Sequence, residues 1–123
     1  MAEAKAELNN YRQSPRKVRV VADAVRGKRI EDAIVTLSFI PKRSALPLRK
    51  LLDSALANAK NLSLSATLVV KELRVDNGPT LYRRRPRSRG MANPIRKRTS
   101  HVMVVLTEAS PKKEKKPKTE AKK

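Results

Sequence analysis

The chain of 123 residues is poor in the side chains on which many functions depend. It has no cysteine, so disulfides, thiolate zinc sites and a cysteine nucleophile are excluded. Because it has no tryptophan, two tyrosines and one phenylalanine, a platform that stacks several unpaired bases is not expected. No apolar run approaches the roughly 18 residues of a membrane-spanning helix, and the first ten residues lack the apolar stretch of a signal peptide. We therefore expect a cytoplasmic protein with one small domain and no membrane partner.

Positive charge is what the chain has in excess. Thirty Lys and Arg against eleven Asp and Glu give a formal net charge of +19. Residues 82–98 hold eight basic and no acidic residues, and seven of the eight are arginine. Because arginine binds phosphate in a bidentate manner and stacks on bases, this stretch indicates a polyanionic partner. The Lys-rich residues 111–123 contain no large apolar side chain, so we predict a disordered tail there.

Hydrophobic spacing predicts three helices. The first begins at Ser14-Pro15, where serine can act as N-cap and proline has no N–H to leave unpaired, and it ends at Gly27. Pro41 ends the second helix, and Ser44 caps the third. Each helix carries an apolar stripe at i, i+3, i+4 and i+7 spacing, so all three can pack on one core.

Strands are predicted on both sides of the arginine-rich stretch. The β-branched segments 67–75 and 101–107 are typical of strands, and both are short enough to belong to one sheet. Segment 2–9 alternates with period two but consists of good helix formers; we interpret it as a third strand.

The 25 residues between the two stronger strands, 76–100, have two interpretations. The Asn-Gly pair at 77–78 favours a tight turn that folds the chain straight back, although Pro79 directly after it opposes this. Alternatively, the strands continue outward as a ribbon that turns near the Arg-Gly pair at 89–90 or the Asn-Pro pair at 93–94. We favour the ribbon, in which each arm would have about thirteen residues and reach about 40 Å. Such a positive arm cannot pack on its own domain, so another molecule must order it.

No group of residues points to catalysis or metal binding. Ser14 and Lys17 match an S-x-x-K pattern, but the companion motifs of penicillin-binding enzymes are missing. His101 has no carboxylate or cysteine partner at ligand spacing, which favours a hydrogen-bonded or RNA-facing histidine. We predict no enzyme activity, no cofactor and no metal site.

Folded RNA is the polyanion that the charge pattern favours. The arginine-rich stretch and the basic helix regions provide two surfaces, which together suit contact with several helices of one RNA. Duplex DNA is less natural because neither helix-turn-helix nor zinc-finger spacing is present. The alternatives are a sequence-neutral DNA-binding protein of nucleoid type and a membrane-active basic domain.

Five motifs follow one another along the chain. They are Ser14-Pro-Arg-Lys-Val-Arg with Arg26-Gly27-Lys28; Leu51-Leu-Asp-Ser-Ala-Leu-Ala-Asn-Ala59; Gly78-Pro-Thr-Leu81; Pro86-Arg87 with Gly90; and Lys97-Arg-Thr-Ser-His101. In this order, over about residues 5–108, they resemble the bacterial form of the L-twenty-two family of large-subunit ribosomal proteins. The resemblance implies an α+β fold in a single domain of residues 1–110. Three helices would pack on a small three-stranded antiparallel sheet, and a long β-hairpin, 81–100, would protrude from it.

The resemblance also implies a function. The protein would be a single-copy structural constituent of the large ribosomal subunit that binds several domains of its rRNA and supports assembly. The hairpin would line the nascent-peptide exit tunnel, contacting the nascent peptide and facing the L-four protein at the constriction. Its arms would be residues 81–86 and 95–100. Its tip would be Arg87, Ser88, Arg89, Gly90, Met91, Ala92, Asn93 and Pro94.

The expected rRNA-binding residues combine the basic side chains of the helix regions and hairpin with polar groups at the ends of those segments. They are Arg12, Ser14, Arg16, Lys17, Arg19, Arg26, Lys28, Arg29, Lys42, Arg43, Arg49, Lys50, Arg83, Arg84, Arg85, Arg87, Arg89, Arg96, Lys97, Arg98, Thr99, Ser100 and His101.

Overall fold

A computed structural model describes residues 2–64 and 67–109 of the chain. The strands are β1 (Glu3–Tyr11), β2 (Leu68–Asn77), β3 (Leu81–Pro86), β4 (Ala92–Lys97) and β5 (Ser100–Glu108). The helices are α1 (Pro15–Val25), α2 (Ile30–Phe39) and α3 (Ala45–Asn61). The predicted tail at 111–123 lies outside the described residues.

The central strand of the main sheet is β5, which pairs antiparallel with β1 on one side and with β2 on the other. Segment 2–9 is therefore largely strand despite its helix-forming residues, because pairing with β5 and burial of Ala4 and Ala6 outweigh helix propensity. The helices pack on this sheet, and their buried apolar stripes form one core with alternate residues of the strands. The predicted α+β fold is confirmed.

The ends of the helices differ from the prediction in detail. Pro15 is the first residue of α1, and Ser14 and Ser44 are the N-cap residues of α1 and α3, as predicted, but neither serine side chain makes a cap hydrogen bond. Gly27 adopts φ +78° as a left-handed residue after α1. Its N–H donates to the carbonyl of Val70 in β2 at 3.2 Å, which ties the end of the helix to the sheet.

Beyond the main sheet, β3 and β4 form a separate two-stranded antiparallel ladder, which we call the hairpin. The chain turns through a short 3-10 segment, Ser88–Gly90, in which Arg89 and Gly90 have φ of +59° and +68°. The turn therefore lies at the Arg-Gly pair, whereas the Asn-Pro pair at 93–94 lies inside β4. This arrangement agrees with the ribbon interpretation.

A one-residue bulge separates the hairpin from the main sheet. Asn77 pairs with Ser100, and Leu81 pairs with Lys97. The chain advances four residues from Asn77 to Leu81 but only three from Lys97 to Ser100, so the extra residue lies on the side of β2 and β3. Pro79 lies in this interval and has no N–H to donate to a ladder. Each hairpin strand has six residues and spans about 20 Å, so the regular ladder is shorter than the predicted arm of about 40 Å.

Candidate nucleic-acid interface

The hairpin carries positive charge on both faces. Alternation along the strands and the cross-strand register place Arg83, Arg85 and Lys97 on one face, and Arg84 and Arg96 on the other. All five side chains are exposed, and the ion pairs found in the described part of the chain involve none of them. The first face also carries the half-buried Leu81 and Ile95, but charged side chains interrupt it, so neither face is a continuous apolar surface. The charge of the hairpin suits immersion in a polyanion.

A basic cleft lies where the base of the hairpin meets the start of α1. It has a volume of about 780 Å³ and is open to solvent, and none of the described residues that line it is acidic. Three separate segments of the chain supply its walls: the turn before α1 with the first turn of that helix, the α2–α3 connection, and the end of β4 with the residue after it. The lining residues are Arg12, Gln13, Ser14, Lys17, Arg43, Arg96, Lys97 and Arg98. Six cations around one concavity make a strong site for the phosphates of a nucleic acid.

The turn between β1 and α1 is held rigidly, which fixes one wall of the basic cleft. The Tyr11 hydroxyl donates to Oε1 of Gln13 at 2.8 Å, and the Gln13 N–H donates to the Tyr11 carbonyl at 2.8 Å. Burial raises the pKa of the Tyr11 phenol above its usual 10.0, and the positive charge of Arg43 opposes part of that rise. The half-buried ring thus anchors the segment that carries Arg12 and Ser14.

The base of the hairpin is fixed by contacts between its two strands. The Gly78 N–H donates to the Thr99 carbonyl at 2.9 Å, and the Thr99 hydroxyl donates to the Pro79 carbonyl at 2.6 Å. A Cβ on Gly78 would lie 2.4 Å from Oγ1 of Thr99, so only glycine allows this approach. The bulge and these two bonds set the direction in which the hairpin leaves the main sheet.

Three of the predicted RNA-binding residues lie at this junction, where the fold buries or bonds their side chains. Thr99 and Ser100 are 4% and 0% exposed, so their burial does not support the prediction that their side chains contact RNA. His101 is half-buried, and its Nδ1 accepts the N–H of Asn10 at 3.0 Å. The Thr99 hydroxyl bonds across the base of the hairpin and the His101 ring holds the end of β1, whereas the buried Ser100 hydroxyl has no hydrogen-bond partner within the described residues.

Two further predicted contacts cover the outer edge of the sheet; we call Arg19 and Arg26 the edge arginines. Nε and Nη2 of Arg19 donate to the Val75 carbonyl at 3.2 and 3.0 Å. The same atoms of Arg26 donate to the Leu73 carbonyl at 3.2 and 2.8 Å. Alternate carbonyls of an antiparallel strand face away from its neighbour, and those of Leu73 and Val75 are two residues apart. Because β2 is an edge strand, these outward carbonyls would otherwise lack a partner in the sheet.

Comparison with known proteins identifies the family. Residues 6–107 match the family model described as Ribosomal protein L22p/L17e. The chain belongs to this family. It is 51% identical over 110 residues to the large ribosomal subunit protein uL22 of Desulfitobacterium hafniense (strain DSM 10664 / DCB-2), covering 88% of this chain and 96% of that relative. The uL22 protein of Streptococcus pyogenes serotype M6 is 49% identical with the same coverage.

Membership of the L22p/L17e family confirms the resemblance seen in the sequence. The chain is accordingly a ribosomal protein and not an enzyme. Within residues 2–64 and 67–109, no helix is long and apolar enough to span a membrane. Over the same residues, no cluster of three or more His, Asp or Glu side chains is placed to hold a metal ion.

Of the remaining predicted rRNA-binding residues of this L22p/L17e chain, one lies in a hollow that adjoins the basic cleft and the others lie elsewhere on the surface. Lys42 lines a smaller hollow of about 230 Å³ that shares Lys17 and Arg43 with the cleft. Arg29 and Lys50 line separate hollows, beside Glu31 and Glu7 respectively. The other exposed residues of the predicted set that lie outside the cleft are Arg16 on α1, Lys28 before α2, Arg49 on α3, and Arg87 and Arg89 at the turn of the hairpin.

Proposed function

We propose that the chain is a structural constituent of the large ribosomal subunit that binds large-subunit rRNA through the basic cleft and the hairpin together. The observation that carries this proposal is the cleft, in which six cations from three chain segments converge with no acidic residue among the described residues of the lining. The names of the relatives support assignment of the chain to the large ribosomal subunit, and the net charge of +19 supports a polyanionic partner. Because Arg96, Lys97 and Arg98 belong to both the cleft and the hairpin region, the two form one continuous positive surface.

The hairpin has a second role in this proposal. Its turn, residues 87–94, lines the nascent-peptide exit tunnel opposite the L-four protein and contacts the nascent peptide, while the cleft anchors the domain on several parts of the rRNA during assembly. The ladder contributes no buried side chain to the core, and its side chains are exposed on both faces. This supports separate roles for the hairpin and for the cleft that anchors the domain. The protein would then work in the cytoplasm, as a single copy in each ribosome.

Binding competition tests the RNA-binding part of the proposal. Purified full-length protein is incubated at physiological salt with labelled large-subunit rRNA and increasing amounts of random-sequence duplex DNA of matched phosphate content. We expect rRNA to remain bound, because folded RNA can fill the cleft and surround the hairpin at the same time. Preference for the duplex DNA would contradict the proposal and favour a nucleoid-type protein. Sedimentation of the tagged protein with large subunits tests its place in the ribosome.

A further inference from the structure

Tyr82 differs from the other two aromatic residues of the chain. The Tyr11 ring is half-buried and its hydroxyl binds Gln13, so that ring belongs to the fold. Phe39 ends α2, an element that carries acidic but no basic residues. Tyr82 is 63% exposed on β3, and its hydroxyl has no hydrogen-bond partner within the described residues. The fold therefore makes little use of the Tyr82 side chain.

Two arginines flank Tyr82 on one face of the hairpin. Arg96 is its direct cross-strand partner, and Arg84 lies two residues further along the same strand, so all three side chains share a face. Pro94 lies directly opposite Arg84, and Pro86 and Ala92 continue the same face toward the turn, so none of these three residues adds a charge. The opposite face of the ladder has no aromatic residue. The hairpin thus presents one exposed aromatic ring beside two cations on the same face.

We propose that Tyr82, Arg84 and Arg96 form a site for one unpaired RNA base, which stacks on the tyrosine ring while the arginines bind the phosphates beside it. RNA supplies a flat π surface and a negative charge in every residue, which matches a ring flanked by guanidinium groups. A partner made of apolar side chains would match the ring but not the two cations. The inference rests on the proposed function, because it requires rRNA to surround the hairpin.

Substitution of the ring tests the site in the full-length protein with full-length large-subunit rRNA. Tyr82→Leu keeps an apolar side chain and removes the stacking surface, so we expect affinity to fall by about 5- to 150-fold. Tyr82→Phe is the matched control and should bind as the wild type does. Neither variant changes a charge, so the dependence of affinity on salt should be the same in all three proteins. Equal affinity of the leucine and phenylalanine variants would overturn the site.

The lack of tryptophan in the chain allows a direct optical test. Tyr82→Trp introduces a single indole, whose emission should be quenched when a base stacks on it. At equal occupancy, large-subunit rRNA should quench more strongly than a perfectly paired RNA duplex, because the bases of the duplex are already stacked. Equal quenching by both RNAs would overturn the stacking site while leaving the proposed function intact. Failure of the wild-type protein to bind rRNA at all would overturn both.

Discussion

Arg26 donates two hydrogen bonds to the carbonyl oxygen of Leu73, from Nε at 3.2 Å and from Nη2 at 2.8 Å. Arg19, seven residues earlier and so two helical turns away, binds the Val75 carbonyl in the same way. The two guanidinium groups close the outer edge of β2, which would otherwise be open to pairing with another chain. The predicted RNA-binding arginines therefore include some that bond to the backbone of the fold.

Stability measurements should distinguish the edge arginines from another arginine of the same helix. Replacing Arg19 or Arg26 by alanine leaves a strand carbonyl without its partner, and because these side chains are partly exposed we expect a loss of about 1 kcal/mol for each. Arg16→Ala is the matched control on the same helix and should change the free energy of unfolding by less than about 0.5 kcal/mol. Urea unfolding of the three variants checks this. Equal losses in all three would contradict the assignment of the edge arginines.

The salt dependence of rRNA binding should locate the phosphate contacts in the basic cleft. Lys17→Ala and Arg43→Ala each remove one cation from its lining. The slope of log K against log salt is negative, and each variant should reduce its magnitude by about 0.7–0.9. Lys60→Ala removes a cation from a separate hollow that also contains Glu31, and should leave the slope unchanged. Binding titrations at several salt concentrations measure this. An equal decrease for Lys60→Ala would show that the cleft is no more important than the general surface.

A methyl group at Gly78 should disturb the direction of the hairpin. The added Cβ would lie 2.4 Å from the Thr99 hydroxyl, which binds the Pro79 carbonyl. We expect Gly78→Ala to lower stability by about 1–3 kcal/mol. In Gly90→Ala the new Cβ meets no atom within 4 Å, so only the positive φ opposes it, at about 1 kcal/mol.

Thermal unfolding and amide chemical shifts compare these two glycine variants. Gly78→Ala should shift amide signals at the ends of β2 and β5, whereas Gly90→Ala should shift only those near the turn. Wild-type stability and spectra for Gly78→Ala would show that the close approach of the two strands is not required.

Deletion of residues 87–92 should separate anchoring from tunnel function. The turn of the hairpin contributes no buried side chain, so the domain should fold, and the cleft should still hold it in the large subunit. We expect normal incorporation with an altered response to a tunnel-blocking antibiotic or an arrest peptide. Quantification of the variant in purified large subunits, beside a Lys17→Ala, Arg43→Ala double variant, measures this. Normal incorporation with a wild-type response would contradict the tunnel assignment, and failed incorporation would show that the tip is an anchor.

Local patterns were sufficient to predict most of the fold. The apolar stripe of α1, with Val18 and Val25 among its members, is buried as its spacing indicates, and Pro15 begins that helix. The strand β1 could be predicted from period two, although its helix-forming residues favoured the other state, because Ala4 and Ala6 alternate with polar residues. Both predicted serines occupy their N-cap positions without a side-chain bond to the helix, because a capping side chain has other conformations open to it and sequence does not decide between them.

The candidate site was harder to predict than the fold, because it depends on contacts between distant segments. The seven-residue spacing of Arg19 and Arg26 places both on one side of a helix, but only the packed structure shows that β2 presents carbonyl groups there. Charge alone could not distinguish these side chains from Lys17 and Arg43, which line the basic cleft. Burial of Thr99 likewise follows from its contact with Gly78, which lies twenty-one residues away in the chain.

Mapping of RNA–protein cross-links in large subunits that contain the full-length chain tests the central claim most directly. After ultraviolet irradiation, RNA-linked peptides are identified by mass spectrometry. If the basic cleft and the hairpin form one rRNA-binding surface, cross-links should fall within residues 12–17, 42–43 and 82–98, and not on the exposed residues of α2. Cross-links concentrated on α2, with none in the cleft or the hairpin, would contradict the account.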